Sequence, residues 1–122
     1  MAKWQAEEPA LPKTPTEGLA LQEAAEESLL SGDDLSGARF RQQSLRGLTG
    51  GALEVSGCGL ERCTLGELEL KRISFVDCVF EQCELSNLSL RNASLRRVRF
   101  LGCRMTGVEF ANAALTDVVF ER

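Results

Sequence analysis

From Leu35 to Phe120 every fifth residue is apolar, with one exception. The series runs Leu35, Phe40, Leu45, Gly50, Val55, Leu60, Leu65, Leu70, Phe75, Phe80, Leu85, Leu90, Leu95, Phe100, Met105, Phe110, Leu115 and Phe120. All six Phe residues fall in it. A second register lies two residues earlier, from Ala38 through Val118, and holds all five Cys residues. Apart from Gln43, it carries small or medium apolar side chains. The other three positions of each pentad are mostly Arg, Glu, Ser, Thr, Gly and Asn.

A period of five fits neither a helix nor a simple strand. Two inward residues at spacing two describe a short strand with one face buried, and the remaining residues must turn a corner. Four such faces close a square after about 20 residues, and successive coils then stack at about 4.8 Å. Residue n therefore sits beside residue n+20. The expected ladders are Leu60, Phe80, Phe100, Phe120; Leu45, Leu65, Leu85, Met105; Cys63, Cys83, Cys103; and Cys58, Cys78, Val98, Val118. Residues 33–122 supply about four and a half coils, a rod roughly 20 Å long.

This pattern resembles the pentapeptide repeat proteins, whose motif is A-(D/N)-L-x-x with a central Leu or Phe. The nearest copies are Ala38-Arg39-Phe40, Ala93-Ser94-Leu95 and Ala113-Ala114-Leu115. The resemblance covers about residues 33 to 122 and implies an all-β, right-handed quadrilateral β-helix, a bacterial protein among its members. The small position here is filled by Cys, Val or Leu more often than by Ala. The resemblance also implies one specific activity: some members look like duplex DNA, bind DNA gyrase and protect it from quinolones. That mimicry wants a long, acidic, dimeric rod.

The N-terminal composition differs. Residues 1–14 contain Pro9 and Pro12 without periodicity and read as a flexible tail. Thr14-Pro15-Thr16-Glu17 is a capping pattern, and Leu21, Ala25 and Leu29 form one apolar stripe, so a helix is expected over 15–32 with Gly32 as its stop. It is expected to cap the first coil, or else to dock a partner. That coil is irregular: Gly50-Gly51 interrupt the central register and Gln43 takes an inward slot, which predicts a bulge or wide corner.

Composition removes several chemistries. The chain has 122 residues, one domain's worth, with 14 Lys+Arg, 18 Asp+Glu and no His. Without His there is no Ser-His-Asp triad, Cys-His pair or His-ligated metal. No apolar run approaches a membrane span, and the first 30 residues lack a signal-peptide order. Up to Gly32 six acids face two bases; from Asp33 onward 12 acids face 12 bases, so the net charge of −4 lies outside the repeat. A neutral solenoid argues against direct nucleic-acid binding, and against the gyrase-directed mimic.

The cysteines are spaced by the repeat rather than by the tight turn of a zinc knuckle, and read as small buried hydrophobes. Stacked thiols come within disulfide range, but parallel side chains start poorly for the required dihedral. Free thiols point to a reducing cytoplasm. Acids sit at corners, where Asp77, Arg97 and Asp117 would alternate in one ladder and Glu61 and Glu81 would stack. No catalytic, cofactor or metal site is expected, and the chain reads as a non-enzymatic protein–protein interaction module.

The candidate interaction surface lies in the C-terminal half. Arg91, Arg96, Arg97, Arg99 and Arg104 cluster within one coil's length and suit an acidic protein surface. Val79, Leu101 and Val119 fall on outward positions of one face and form a candidate apolar patch. Phe120 is a full repeat residue followed only by Glu121 and Arg122. An uncovered last coil favours end-to-end pairing as a homodimer, unless the chain is a fragment of a longer repeat protein.

Overall fold

A computed structural model describes residues 20–122. The elements are α1 (Leu21–Ser31), β1 (Leu35–Ser36), β2 (Arg39–Arg41), β3 (Ser44–Ser56), β4 (Gly59–Glu61), β5 (Thr64–Glu81), β6 (Ser94–Leu101) and β7 (Ala114–Glu121). The strands wind into a β-solenoid of about four turns. Every pairing is parallel and displaced by 20 residues: Leu35 with Val55, Phe40 with Leu60, Ser74 with Ser94, Phe100 with Phe120. A parallel ladder leaves a strand's own backbone groups unsatisfied within its coil, so each coil depends on the next for its hydrogen bonds.

The two apolar registers both point inward. Leu53, Cys58, Cys78, Leu85, Leu95 and Val98 are fully buried, and Phe80 and Phe100 nearly so. The expected Phe ladder forms. Phe80 and Phe100 stack with centroids 5.0 Å apart, and Phe100 and Phe120 with centroids 5.1 Å apart. These separations follow the coil spacing, so ring stacking and backbone pairing reinforce one another.

The corners have a fixed chemistry. From Gly37 to Asp117 every fifth residue has positive φ, except Ala52 and Arg72. Some of these are Gly or Asn, which tolerate the left-handed region. Others, such as Arg62 and Arg97, are not, and each costs about 1–2 kcal/mol that the ladder must outweigh.

The helix covers the first coil. Ala20 is extended (φ −66°, ψ 162°) and α1 runs from Leu21, while the expected start at residue 15 lies outside the described residues. The Thr14–Glu17 capping pattern and the 1–14 tail lie outside the described residues. Gly32, at φ 81°, ends the helix and donates its N–H to Ser28 O at 2.9 Å. Leu21 and Ala25 are buried and Leu29 half-buried. The polar intruder Gln43 now has a reason: its Oε1 accepts the N–H of Leu21, one of the helix's orphan donors, at 2.5 Å. Gln22 reciprocates with Arg46, accepting its N–H at 2.9 Å and donating to its carbonyl at 3.0 Å. Gly50 has φ 146°, and a Cβ there would meet Leu29 Cδ1 at 3.9 Å. The missing central Leu thus marks a backbone that only Gly takes readily, beneath a helix side chain.

Phe100→Ala is expected to cost about 3–5 kcal/mol, the range for deleting a buried aromatic ring. Phe120→Ala, at a half-exposed position, is expected to cost less than half as much. Urea denaturation of the two variants, read as midpoint shifts at constant slope, checks this.

Candidate interaction surfaces

The register decides which outward side chains meet. Val79, Arg99 and Val119 occupy one outward ladder, with Arg99 between the two valines. Leu101 lies on the neighbouring ladder, between Glu81 and Glu121. All four named side chains are half-buried. The expected apolar patch is therefore a mixed surface in which Val79, Val119 and Leu101 alternate with charge, and Arg99 reaches Glu121 at 3.9 Å.

The arginines do not converge either. Arg97 binds Asp77 of the preceding coil through Nε at 2.5 Å and Nη2 at 2.9 Å, with both side chains about one-third exposed or less. The Arg97 hydrogen bonds, ahead of its charge, hold the Asp77 carboxyl below the usual carboxylate range. Arg96 is exposed between Val76 and Thr116. Arg91 lies 4.0 Å from Glu109 and Arg104 3.6 Å from Glu84, both exposed. On an earlier coil Arg41 meets Glu61 at 3.0 Å, while Glu61 stacks on Glu81. Paired acids and bases therefore interleave up the outer walls, and solvent screening leaves each exposed pair little net stabilisation.

The end of the solenoid is different. β7 pairs with β6 on one edge only among the described residues. Its interior residues lie open: Phe120 is 50% exposed and Leu115 45%, while Met105, Phe110 and Val118 are half-buried. Phe100, Cys103, Met105 and Phe120 line a cavity of about 210 Å³ there. Of the sequence-derived candidates only Phe120 belongs to this face. Leu115, Met105 and Phe110 join it because the central register continues through the last coil, a signal already present in the five-residue period.

Four of the five cysteines are buried and Cys103 is partly exposed. Each thiol points at a carbonyl of the coil before: Cys83 donates to Leu60 O at 3.2 Å, Cys103 to Phe80 O at 3.2 Å and Cys63 to Phe40 O at 3.7 Å. Burial pushes the Cys78 thiol up to about 12 and raises Cys58 too. Hydrogen bonding to its neighbours Cys103 and Cys63, added to burial, raises Cys83. Donation from Cys83 lowers Cys103 to about 7. The same donor lowers Cys63, but one S–H serves one acceptor at a time, and of the two Cys103 is the one partly exposed to water. Among the described residues no three of His, Cys, Asp or Glu are grouped to hold a metal ion, and no helix is long and apolar enough to cross a membrane.

A family model described as "Pentapeptide repeat region" matches residues 53–122, more than half of the chain. No curated protein matches it.

Two expectations follow. In the native state a thiol reagent should label Cys103 first, with a rate that rises as pH passes through about 7, and reach Cys58, Cys78 and Cys83 only on unfolding. Mass spectrometry of peptides after timed labelling reads this order. Separately, Asp77 has a folded pKa below its unfolded value of about 3.9. Its pairing therefore stabilises fully above that value and is lost as pH falls through the lower folded value. Arg97→Ala should destabilise by about 1 kcal/mol or less near neutral pH and flatten that acid-side dependence, as measured by denaturation at several pH values.

Proposed function

For a chain that belongs to the pentapeptide repeat family, a solenoid scaffold of the kind that generally serves protein interaction, we propose a non-enzymatic role as an interaction module. Its C-terminal half binds a protein, and the simplest partner is a second copy of the chain. The observation that supports this most is the apolar end face. Phe120 and Leu115 stand about half exposed beside Met105 and Phe110, next to β7, which among the described residues pairs with β6 alone. Large exposed apolar side chains next to an open parallel edge favour pairing with another such edge. Two copies joined end to end by a two-fold axis would bury both faces.

The outer walls contribute less. Arg91, Arg96, Arg99 and Arg104 project among acids, and Val79, Leu101 and Val119 are separated by charge. Interleaved ion pairs do not make the uniformly acidic rod that a gyrase-directed DNA mimic wants, so that reading gains no support from the geometry.

Light scattering after size exclusion, under reducing conditions and over a hundredfold range of concentration, tests the proposal. A concentration-dependent dimer is expected. Leu115→Asp with Phe120→Asp should abolish it, whereas Leu101→Asp with Val119→Asp should weaken it only if the side wall takes part. A monomer throughout, unchanged by the end-face substitutions, contradicts self-association through this face.

A further inference from the structure

The side wall carries a second opening, remote from the end face. The coils round one corner in two ways. β3 and β5 continue through Gly50–Ala52 and Leu70–Arg72, where Ala52 and Arg72 lack the left-handed bend found at the other corners. One coil later Asn92, the counterpart of Arg72, takes that bend at φ 60°. There residues 85–93 fold into tight turns, closed by Leu88 N–H to Leu85 O at 3.1 Å and Ala93 N–H to Leu90 O at 3.2 Å.

The two shapes cannot share a ladder. Backbone bonding between these coils reaches Leu65 N–H to Glu84 O, at 3.1 Å, and resumes with the Ser74–Ser94 pairing. Between those points Gly66–Arg72 makes no backbone hydrogen bond to the following coil. A cleft of about 340 Å³ opens at this seam. Leu68, Leu70 and Ile73 form its floor, and Ser89, Arg91 and Asn92 its opposite rim, with Glu69 at the edge.

We propose that this seam binds the terminal carboxylate of a peptide that ends in an aliphatic residue. The site offers an apolar floor, in which Leu68 and Ile73 are buried and Leu70 half-buried. It offers backbone N–H groups along an unpaired strand edge, which suit an anion or a terminal carboxylate. It offers a guanidinium: Arg91 lies 4.0 Å from Glu109, beyond hydrogen-bonding distance, so its donors can turn to a ligand. A carboxylate accepts two parallel bonds from Arg. Lys71 and Arg72 are exposed next to the floor and, with Arg91, outnumber the acids Glu69 and Glu109. The volume lies at the small end of ligand sites and suits the last two residues of a chain, not a folded partner.

Fluorescence anisotropy with the full chain tests this. The probe is the peptide Gly-Ser-Gly-Leu-Leu, labelled at its N-terminus and bearing a free C-terminal carboxylate. Saturable binding is expected. Replacing the carboxylate by an amide, or Arg91 by Ala, should weaken it by about tenfold or more, as for loss of hydrogen bonds to a charged group. Ser89→Trp, which fills the cleft, should also weaken it, and Glu109→Gln should strengthen it. Arg91 is exposed, so its variant should keep the thermal melting profile of the parent. Absence of saturable binding, equal binding of the amide, or an Arg91→Ala variant that binds as the parent does would overturn the proposal. Leu115→Asp with Phe120→Asp should leave this binding unchanged, so the seam and the end face can fail independently.

Discussion

Each coil of this solenoid is incomplete without the coils beside it. A parallel strand cannot satisfy its own N–H and C=O groups, and a square coil has no opposing sheet to lean on. The pairing at a displacement of 20 residues supplies those hydrogen bonds. It also carries the packing, because the same displacement places Phe80 on Phe100 and Phe100 on Phe120. The left-handed corners, several held by Arg, Gln or Glu, persist because the surrounding ladder over-determines them. Repeat proteins of this kind gain stability coil by coil, from neighbour to neighbour.

Interesting chemistry on such a rod lies where that neighbour relation changes. At the first coil the neighbour is a helix, and Gln43 and Gly50 depart from the repeat to receive it. At the last coil the interior residues Leu115 and Phe120 lie half open, and Cys103 gains access to water. At the seam between Gly66–Arg72 and residues 85–93 the two coils have different corners and the ladder is interrupted. Along the regular walls, by contrast, Arg–acid pairs such as Arg97–Asp77 and Arg104–Glu84 interleave and leave no concentrated field.

The architecture was legible in one number, the five-residue period. It predicts the 20-residue coil, the Phe and Cys ladders and the inward registers, because close packing admits few other ways to return a side chain inside every five residues. Gln43 and Gly50 were legible as irregularities, but their partners in α1 come from tertiary packing and not from local pattern. The outward positions of Val79, Leu101 and Val119 were legible, but the charged residues between them come from the register. Adding 20 to Val79 lands on Arg99, so the two valines share a face without adjoining. The seam had the weakest signal. Arg72 stays extended while Arg62 and Arg97, the same residue type at the same repeat position, bend. The nearest clue is Gly50-Gly51 one coil earlier, whose straight corner β5 copies through the Gly50–Leu70 and Ala52–Arg72 pairs.

Hydrogen exchange followed residue by residue by NMR tests the dependence of each coil on its neighbour most directly. The account predicts strong protection for amides inside paired ladders, such as Leu95, Val98 and Phe100 in β6. It predicts fast exchange for those amides of Gly66–Arg72 that face the unpaired seam, within the same strand β5. Uniform protection from Thr64 through Glu81 would contradict it, since the coils would then pair continuously around every corner.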